Sequence, residues 1–99
     1  MKRFGLRYHP KVKEDIKKLD GYYKNRIKTT IEEKLTKAPE IFGERLKGTL
    51  KDLWKLRVGN YRVIYFIDKE TVFILGIWHR REVYKKLTVE AILKRIGGL

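Results

Sequence analysis

Residues 54–65 read WKLRVGNYRVIY, two short runs of alternating side chains on either side of Gly59-Asn60. Alternation of apolar and charged residues is the pattern of strands that bury one face. A Gly-Asn pair between two such runs is typical of a two-residue hairpin turn. We therefore predict strands over residues 53–58 and 61–67, joined directly by this turn.

The register of this hairpin places three cations on one face of the sheet. With a two-residue loop, Arg57 lies directly opposite Arg62. Because side chains alternate along a strand, Lys55 shares their face, and the same register pairs Lys55 with Ile64. The opposite face, which we expect to receive the helices, carries Trp54, Leu56, Val58, Tyr61, Val63 and Tyr65.

These three cations indicate an anion site. Two arginines directly opposite each other repel, and Lys55 adds a third charge beside them. Phosphate suits the planar fork of arginine, so a bound phosphate would relieve the repulsion. The alternative is a solvated sheet face that binds nothing.

The net charge of the chain also indicates an anionic partner. Lys and Arg total 25 against 12 Asp and Glu, a formal charge of +13. Self-repulsion raises the free energy of the compact state, and nucleic acid, an acidic protein or a membrane surface would relieve it. The alternative is a lysine-rich solvated surface of the thermophile type.

The first half of the chain predicts a strand followed by a helical hairpin. Residues 4–8 alternate as a strand, and Pro10 suits the first turn of a helix that runs to Leu19. A second helix over residues 22–37 is predicted to end before Pro39. Its apolar stripe consists of Tyr23, Ile27, Ile31 and Leu35.

The second half predicts a meander of three antiparallel strands. An irregular segment over residues 40–52 precedes the hairpin, and a third strand over residues 71–78 follows it after a turn at 68–70. Residues 79–87 are predicted to form a basic, aromatic tail of that strand. Thr88 is predicted to cap a short last helix. The apolar side of this helix carries Val89, Ile92, Leu93 and Ile96.

The expected architecture is one α+β domain over residues 1–99, with an N-terminal strand and a helical hairpin packed on an antiparallel sheet. The order is β-α-α-β-β-β with a short C-terminal helix. Cysteine is absent, and the N-terminus lacks the apolar run of a signal peptide. We expect a cytoplasmic protein without a membrane partner. Metal-ligand spacings and Gly-rich phosphate loops are absent from the sequence, so no metal or other cofactor is expected.

A second basic cluster, HRREVY over residues 79–84, begins where the third strand ends. In a meander that end returns to the hairpin turn, so we expect this cluster near Arg57 and Arg62. The face that its side chains take is left open, because one residue of slip moves them to the other face.

Together the two clusters hold the groups that metal-free RNA cleavage needs. A base takes the proton of the ribose 2′-hydroxyl, cations stabilise the charge that develops at phosphorus, and an acid protonates the departing 5′-oxygen. Imidazole exchanges protons readily at neutral pH, which makes His79 a candidate acid or base. Tyr84 is a candidate to donate or position a proton. The alternatives are a structural histidine at a strand end and a tyrosine that anchors the core.

Three motifs resemble those of one family and occur in its usual order. They are Leu46-Lys47-Gly48, the Arg…Gly-x-Tyr-Arg-Val-Ile-Tyr hairpin and the His-Arg-Arg-x-Val-Tyr ending. With the helical hairpin before them, they resemble the RelE/ParE toxin superfamily over nearly the whole chain. The hairpin motif does not distinguish the branches of this superfamily.

The resemblance implies a RelE-like toxin of a type II toxin–antitoxin system, a metal-independent endonuclease that cleaves ribosome-bound mRNA and so inhibits translation. It also implies an acidic antitoxin as partner, and DNA binding only through the antitoxin complex. The residues expected to carry catalysis are Lys55, Arg62, His79, Arg81 and Tyr84. Further residues expected to bind nucleic acid are Lys47, Lys51, Arg57, Tyr61, Arg80 and Lys85.

Two other functions remain as alternatives. One is a ParE-like inhibitor of DNA gyrase, which is not an enzyme, and the other is a basic nucleic-acid-binding module without catalysis. The combination of His79, Arg81 and Tyr84 favours the nuclease. Leu53 stands where some nuclease members carry a basic residue, so the assignment of acid and base is open.

Overall fold

The computed structural model describes residues 3–97. Its elements include the predicted strand, helical hairpin, three-strand meander and last helix, with short additional elements between them. In chain order they are β1 (Gly5–Tyr8), α1 (Val12–Lys17), α2 (Gly21–Thr30), a π-helical turn (Ile31–Leu35), α3 (Pro39–Phe42), β2 (Glu44–Arg45), a 3₁₀ turn (Gly48–Leu50), β3 (Trp54–Val58), β4 (Tyr61–Asp68), β5 (Thr71–His79), α4 (Val83–Lys86) and α5 (Val89–Gly97).

The strands form one five-stranded sheet in the order β1-β5-β4-β3-β2. The predicted antiparallel meander is confirmed, and so is the hairpin register, which pairs Arg57 with Arg62 and Lys55 with Ile64. The sheet as a whole is mixed, because β1 pairs parallel to β5. The helices between β1 and the meander provide the long connection that a parallel neighbour requires. Strand β2 lies within the segment predicted to be irregular and adds a short edge next to β3.

The predicted second helix is α2 followed by the π-helical turn. Asp20 caps its start, accepting a hydrogen bond from the backbone N of Tyr23 at 2.9 Å. Residues four apart drift around a straight α-helix, which has 3.6 residues per turn. The wider π-helical turn offsets this drift and keeps Leu35 buried with Ile27 and Ile31. Pro39 occupies the first turn of α3, where its missing N–H costs nothing.

Helices α1 and α2 cover the sheet face that was predicted to receive them. The aromatic residues Trp54 and Tyr61 are half-buried at the margins of this core. The sheet residues buried beneath the helices are Leu56, Val58, Val63, Tyr65, Val72, Ile74 and Ile77.

A second core covers part of the opposite face, where α4 and α5 pack. Thr88 caps α5 as predicted, accepting a hydrogen bond from the backbone N of Ala91 at 3.1 Å. The apolar side of α5 is only partly covered, since Ile92 is buried whereas Leu93 is 62 % exposed. The buried residues of this core are Leu53, Ile64, Leu75, Trp78, Val83 and Ile92.

The segment after β5 differs from the predicted strand tail. Strand β5 ends at His79, because its partner β4 begins at Tyr61 and offers no further residues to pair. The chain turns there, with the backbone N of Glu82 donating to the His79 carbonyl at 2.8 Å. Helix α4 follows and buries Val83 in the second core.

An ion pair covers the edge of β5 beyond the end of β1. The Arg95 Nη1 atom lies 2.9 Å from Asp15 Oδ2 and donates a second hydrogen bond to the Leu75 carbonyl. Asp15 also accepts from the backbone N of Ile77 at 3.1 Å. The pair thus satisfies backbone groups that a neighbouring strand would otherwise bond, and it ties α5 to α1.

Candidate functional site

Four cations and a tyrosine meet where the second core leaves the sheet face uncovered. They come from β3, β4, α4 and the residue that follows β5. The cavity between them has a volume of about 70 Å³. We call it the cationic pocket, and its lining residues are Lys55, Arg57, Arg62, Arg80 and Tyr84, with Leu46, Val83 and Leu87 as apolar walls.

Arg62 is held at the hairpin turn by two backbone carbonyls. Its Nη1 atom donates to the Gly59 carbonyl at 3.0 Å and to the Tyr61 carbonyl at 2.9 Å. Gly59 has a φ of 58°, in the left-handed region that favours glycine. Within residues 3–97, no hydrogen bond uses Nε or Nη2 of Arg62. Those donors are therefore available to a ligand.

The electrostatics of the pocket favour an anion. The pKa of the Arg62 guanidinium is lowered from its ordinary value, first by burial and then by the positive charges of Arg57 and Arg80. Tyr84 acts in the opposite direction. Burial and the repulsion from Arg57 and Arg80 thus disfavour the protonated form of Arg62. A phosphate bound among the guanidiniums would remove that repulsion.

Lys55 and Tyr84 are the side chains of the pocket that can exchange a proton, because arginine stays protonated in proteins. The Nζ atom of Lys55 lies 3.7 Å from Oε2 of Glu44, and the lysine side chain is largely covered. Tyr84 is 75 % exposed, so its ring is open to a ligand on the surface.

Six of the predicted site residues lie outside the cationic pocket, and four of them, apart from Tyr61 and His79, lie in loops or on α4. Lys47 and Lys51 flank the 3₁₀ turn, and Lys85 lies on α4. Arg81 follows the end of β5, and its backbone N donates to Nδ1 of His79 at 3.2 Å. All four side chains are exposed. Their roles in binding and catalysis stay predictions.

His79 lies on the other face of the sheet from Arg62. It pairs with Tyr61 across the strands, whereas Arg62 pairs with Trp78. A β-bulge causes this placement, since Ile64 pairs with Gly76 and Tyr65 with Ile74, which leaves Leu75 as the extra residue. With unbroken pairing, His79 would share the face of Arg62.

A row of aromatic rings, which sequence reasoning missed as a unit, crosses the end of the sheet beside the hairpin turn. Tyr22 contacts Tyr23 with ring centroids 5.3 Å apart, and Tyr23 contacts Tyr61 at 4.7 Å. Tyr61 contacts His79 at 5.3 Å. We call these four residues the aromatic row. The Tyr22-Tyr23 pair directly after a helix cap is the signal that the sequence offered.

Burial raises the pKa of the Tyr61 hydroxyl, and the charge of Asp20, the neighbouring Tyr23 and the charge of Glu82 raise it further. The hydroxyl therefore stays neutral in the folded protein at physiological pH. Tyr61 belongs to the aromatic row and does not line the cationic pocket.

Residues 3–97 present neither a metal-ligand cluster nor a membrane-spanning helix. In this part of the chain, His, Cys, Asp and Glu side chains do not gather in a group of three or more that could hold a metal ion. None of its helices has the length and apolarity needed to cross a bilayer.

Comparisons with known proteins show the family and support the fold. The profile of a family described as the ParE toxin of the type II toxin–antitoxin system parDE matches residues 6–84. Toxin RelE3 of Methanocaldococcus jannaschii is 28 % identical over 75 residues, covering 72 % of this chain and 84 % of that protein.

Two solved structures are also similar. The toxin–antitoxin complex RelBE2 of Mycobacterium tuberculosis contains a chain with a TM-score of 0.74 and 28 % identity, covering 79 % of this chain and 99 % of that one. The isolated RelE toxin of E. coli has a TM-score of 0.64 and 26 % identity, covering 94 % of this chain and 98 % of that one.

Proposed function

The chain belongs to the ParE toxin family within the RelE/ParE superfamily and is a toxin of a type II toxin–antitoxin system, and we propose that it acts by cleaving messenger RNA. The cleavage takes place on the ribosome, uses no metal ion and stops translation. The observation that carries this proposal is the cationic pocket, in which three arginines, a lysine and a tyrosine surround a cavity of about 70 Å³.

The proposed reaction is an attack within the RNA itself. The ribose 2′-oxygen gives up its proton, attacks the adjacent phosphorus and displaces the 5′-oxygen of the next nucleotide, which takes up a proton. The products are a 2′,3′-cyclic phosphate and a 5′-hydroxyl. Arg57, Arg62 and Arg80 bind the phosphate and stabilise the charge that develops during the attack.

The two proton transfers require side chains that can exchange a proton. Lys55 and Tyr84 line the cationic pocket, and we assign the transfers to this pair. Arg81 and His79 lie outside the pocket lining. For these two residues, direct catalysis would require a movement of the strand end when RNA binds.

The partner that we propose is an acidic antitoxin. Similar toxins occur in complexes with RelB antitoxins, from Mycobacterium tuberculosis and from Pyrococcus horikoshii. A formal charge of +13 favours a partner rich in Asp and Glu, because complex formation would neutralise the self-repulsion of the toxin. In this proposal the toxin reaches DNA only through the antitoxin complex.

The test uses ribosomes programmed with a defined mRNA. The purified protein should cleave this mRNA within the open reading frame and leave cyclic phosphate ends, with EDTA present. Replacing the ribose at the cleaved position by 2′-deoxyribose should abolish cleavage there, because the attacking oxygen is gone. Cleavage that continues at the deoxy position would overturn the mechanism.

The second candidate function is inhibition of DNA gyrase without catalysis. The description of the matching family, which is that of parDE toxins, favours it. A supercoiling assay with purified gyrase distinguishes the two. Trapped gyrase–DNA cleavage complexes together with intact mRNA on programmed ribosomes would replace the nuclease proposal by this one. The cationic pocket would then be part of a protein-binding surface.

A further inference from the structure

We propose that the aromatic row binds RNA bases that flank the cleaved phosphate, an inference that rests on the nuclease proposal and extends it to the substrate. The row of Tyr22, Tyr23, Tyr61 and His79 is continuous, with ring centroids 5.3, 4.7 and 5.3 Å apart along it. Every nucleobase has a flat face that can stack on such rings. Surfaces of this kind suit single-stranded RNA of varied sequence.

The aromatic row and the cationic pocket lie at the same end of the sheet, on opposite faces. Tyr61 precedes Arg62 on β4, and His79 precedes Arg80 at the end of β5, so each ring is one residue away from a pocket arginine. Neighbouring residues of a strand point to opposite faces. An RNA strand that leaves the pocket across this end of the sheet therefore passes from the arginines to the rings.

Cations accompany the rings, as expected for a surface that also contacts the phosphates of RNA. The Arg26 guanidinium lies 6.0 Å from the ring centroids of both Tyr22 and Tyr23. Lys18 lines a small cavity of about 120 Å³ together with Tyr61 and His79. The carboxylates of Asp15 and Glu82 line that cavity as well, so Arg26 is the cation placed to hold the backbone of a strand whose bases stack on the outer rings.

One feature of the row is not explained by packing of the core. Tyr22 is 66 % exposed and belongs to neither core, although it forms the outer end of the row.

The row gives His79 a role that differs from acid–base catalysis. In the row its ring takes part in stacking, and its ring nitrogens need not exchange a proton with the substrate. His79→Phe separates the two roles, because it keeps an aromatic ring and removes the nitrogens. We expect His79→Ala to lose roughly tenfold in substrate affinity, and His79→Phe to bind substrate more tightly than His79→Ala because it keeps the ring.

The main test pairs the removal of a ring with the removal of a base. Ribosomes are programmed with an mRNA that has 2′-deoxyribose at the cleaved position and one abasic nucleotide at each neighbouring position in turn. The affinity of the wild-type protein should fall roughly tenfold for abasic substitution at one or two adjacent positions on one side of the cleaved phosphate. In Tyr22→Ala the same abasic substitution should cause no further loss, since the stacking partner is already gone.

Tyr8→Ala is the matched control. Tyr8 is also a partly exposed tyrosine, 43 % accessible, but it lies on β1 outside the row. The Tyr8→Ala variant should lose as much affinity on abasic substitution as the wild-type protein does. Equal losses at every position in all three proteins would overturn the inference, as would equal substrate affinities of folded His79→Phe and His79→Ala.

The same ribosomes distinguish failure of the inference from failure of the proposed function. Suppose that the wild-type protein cleaves the all-ribose mRNA but that abasic substitution weakens Tyr22→Ala as much as the wild type. The nuclease proposal then stands, and the aromatic row is excluded as a base-binding surface. If coupling is found without cleavage, the row is retained as an RNA-binding surface and the nuclease proposal falls.

Discussion

Arg62 is the residue on which the proposed chemistry depends most directly, since it lines the cationic pocket while its Nη1 atom is anchored to the hairpin carbonyls. Arg62→Ala should lower the rate of mRNA cleavage about 10²- to 10³-fold, the loss typical of removing one donor that stabilises transition-state charge. Single-turnover cleavage on programmed ribosomes measures this loss.

Lys37→Ala is the control for the change in net charge. Lys37 is exposed and does not line the pocket, so this variant should cleave at the wild-type rate. The proposed role of Arg62 would be refuted by wild-type cleavage in a folded Arg62→Ala protein.

Gly76 is required by the close approach of Trp78. A Cβ atom on Gly76 would lie 2.2 Å from Cζ2 of Trp78, whose ring is buried in the second core next to Arg95. Gly76→Ala should therefore lower the free energy of unfolding by about 1–3 kcal/mol, as overpacking commonly does. Chemical denaturation measures the change. Gly21→Ala, where a Cβ meets nothing within 4 Å, should cause no comparable loss.

Helix α5 is attached to the rest of the fold by more than apolar contacts. The Arg95–Asp15 pair is buried, the Arg95 guanidinium lies 4.9 Å from the Trp78 ring centroid, and the Arg95 carbonyl is hydrogen-bonded to Nε2 of His9. These contacts join α5 to α1, to β5 and to the end of β1. Leu87, two residues before α5, lines the cationic pocket, and the helix is thus fixed at its end away from the pocket.

Arg95→Ala should destabilise the protein by about 3–5 kcal/mol, because it leaves the Asp15 carboxylate buried without its charged partner. Thermal and urea unfolding measure the loss. Lys94→Ala provides the comparison on the same helix. It removes an exposed pair with Glu90 at 3.7 Å and should cost only about 0.3–0.5 kcal/mol. Similar losses in the two variants would contradict the role assigned to the buried pair.

Strand β4 and helix α3 are joined by a buried tyrosine hydroxyl. Tyr65 donates to the Pro39 carbonyl at 2.6 Å, and burial raises the pKa of its hydroxyl above the ordinary value. The unfolded chain releases this proton near pH 10, but the folded chain retains it. The stabilising contribution is therefore complete below pH 10 and is lost progressively as the pH rises above it.

The free energy of unfolding should consequently fall between pH 10 and pH 11, by up to about 1.4 kcal/mol per pH unit for this one group. Urea titrations at a series of pH values measure the slope. Tyr65→Phe should show a shallower decline than the wild type over the same range. An identical slope in both proteins would mean that Tyr65 ionises equally in the folded and unfolded states.

For the molecule as a whole, the net positive charge determines how the affinity for RNA depends on salt concentration. The formal charge of +13 predicts affinity for RNA that depends strongly on salt. For single strands, log affinity falls with log salt concentration by about 0.7 for each phosphate contact. Arg57→Ala should reduce the magnitude of this slope by about 0.7, whereas Lys37→Ala should leave it unchanged. Fluorescence anisotropy with a 2′-deoxy-blocked RNA at several salt concentrations tests this.

Much of the fold could be predicted because the information is local. The Gly59-Asn60 turn defines the pairing of Arg57 with Arg62, and period-two alternation then separates the cationic face from the face beneath the helices. The stripe of Ile27, Ile31 and Leu35 predicts a helix that packs on that second face. Short elements such as β2 and α3 escaped prediction, since so few residues carry no recognisable period.

The sequence by itself determined the α+β class, the hairpin register and the set of charged and aromatic residues from which a site is built. Only the tertiary structure decided which of them meet. The bulge at Leu75 turns His79 away from Arg62 and towards Tyr61, while Arg80 and Tyr84 complete the cationic pocket. At the bulge, Ile74 lies in one core and Leu75 in the other, so the packing requirement of both cores applies to this part of β5. That requirement comes from residues distant in sequence, so no local pattern reveals it.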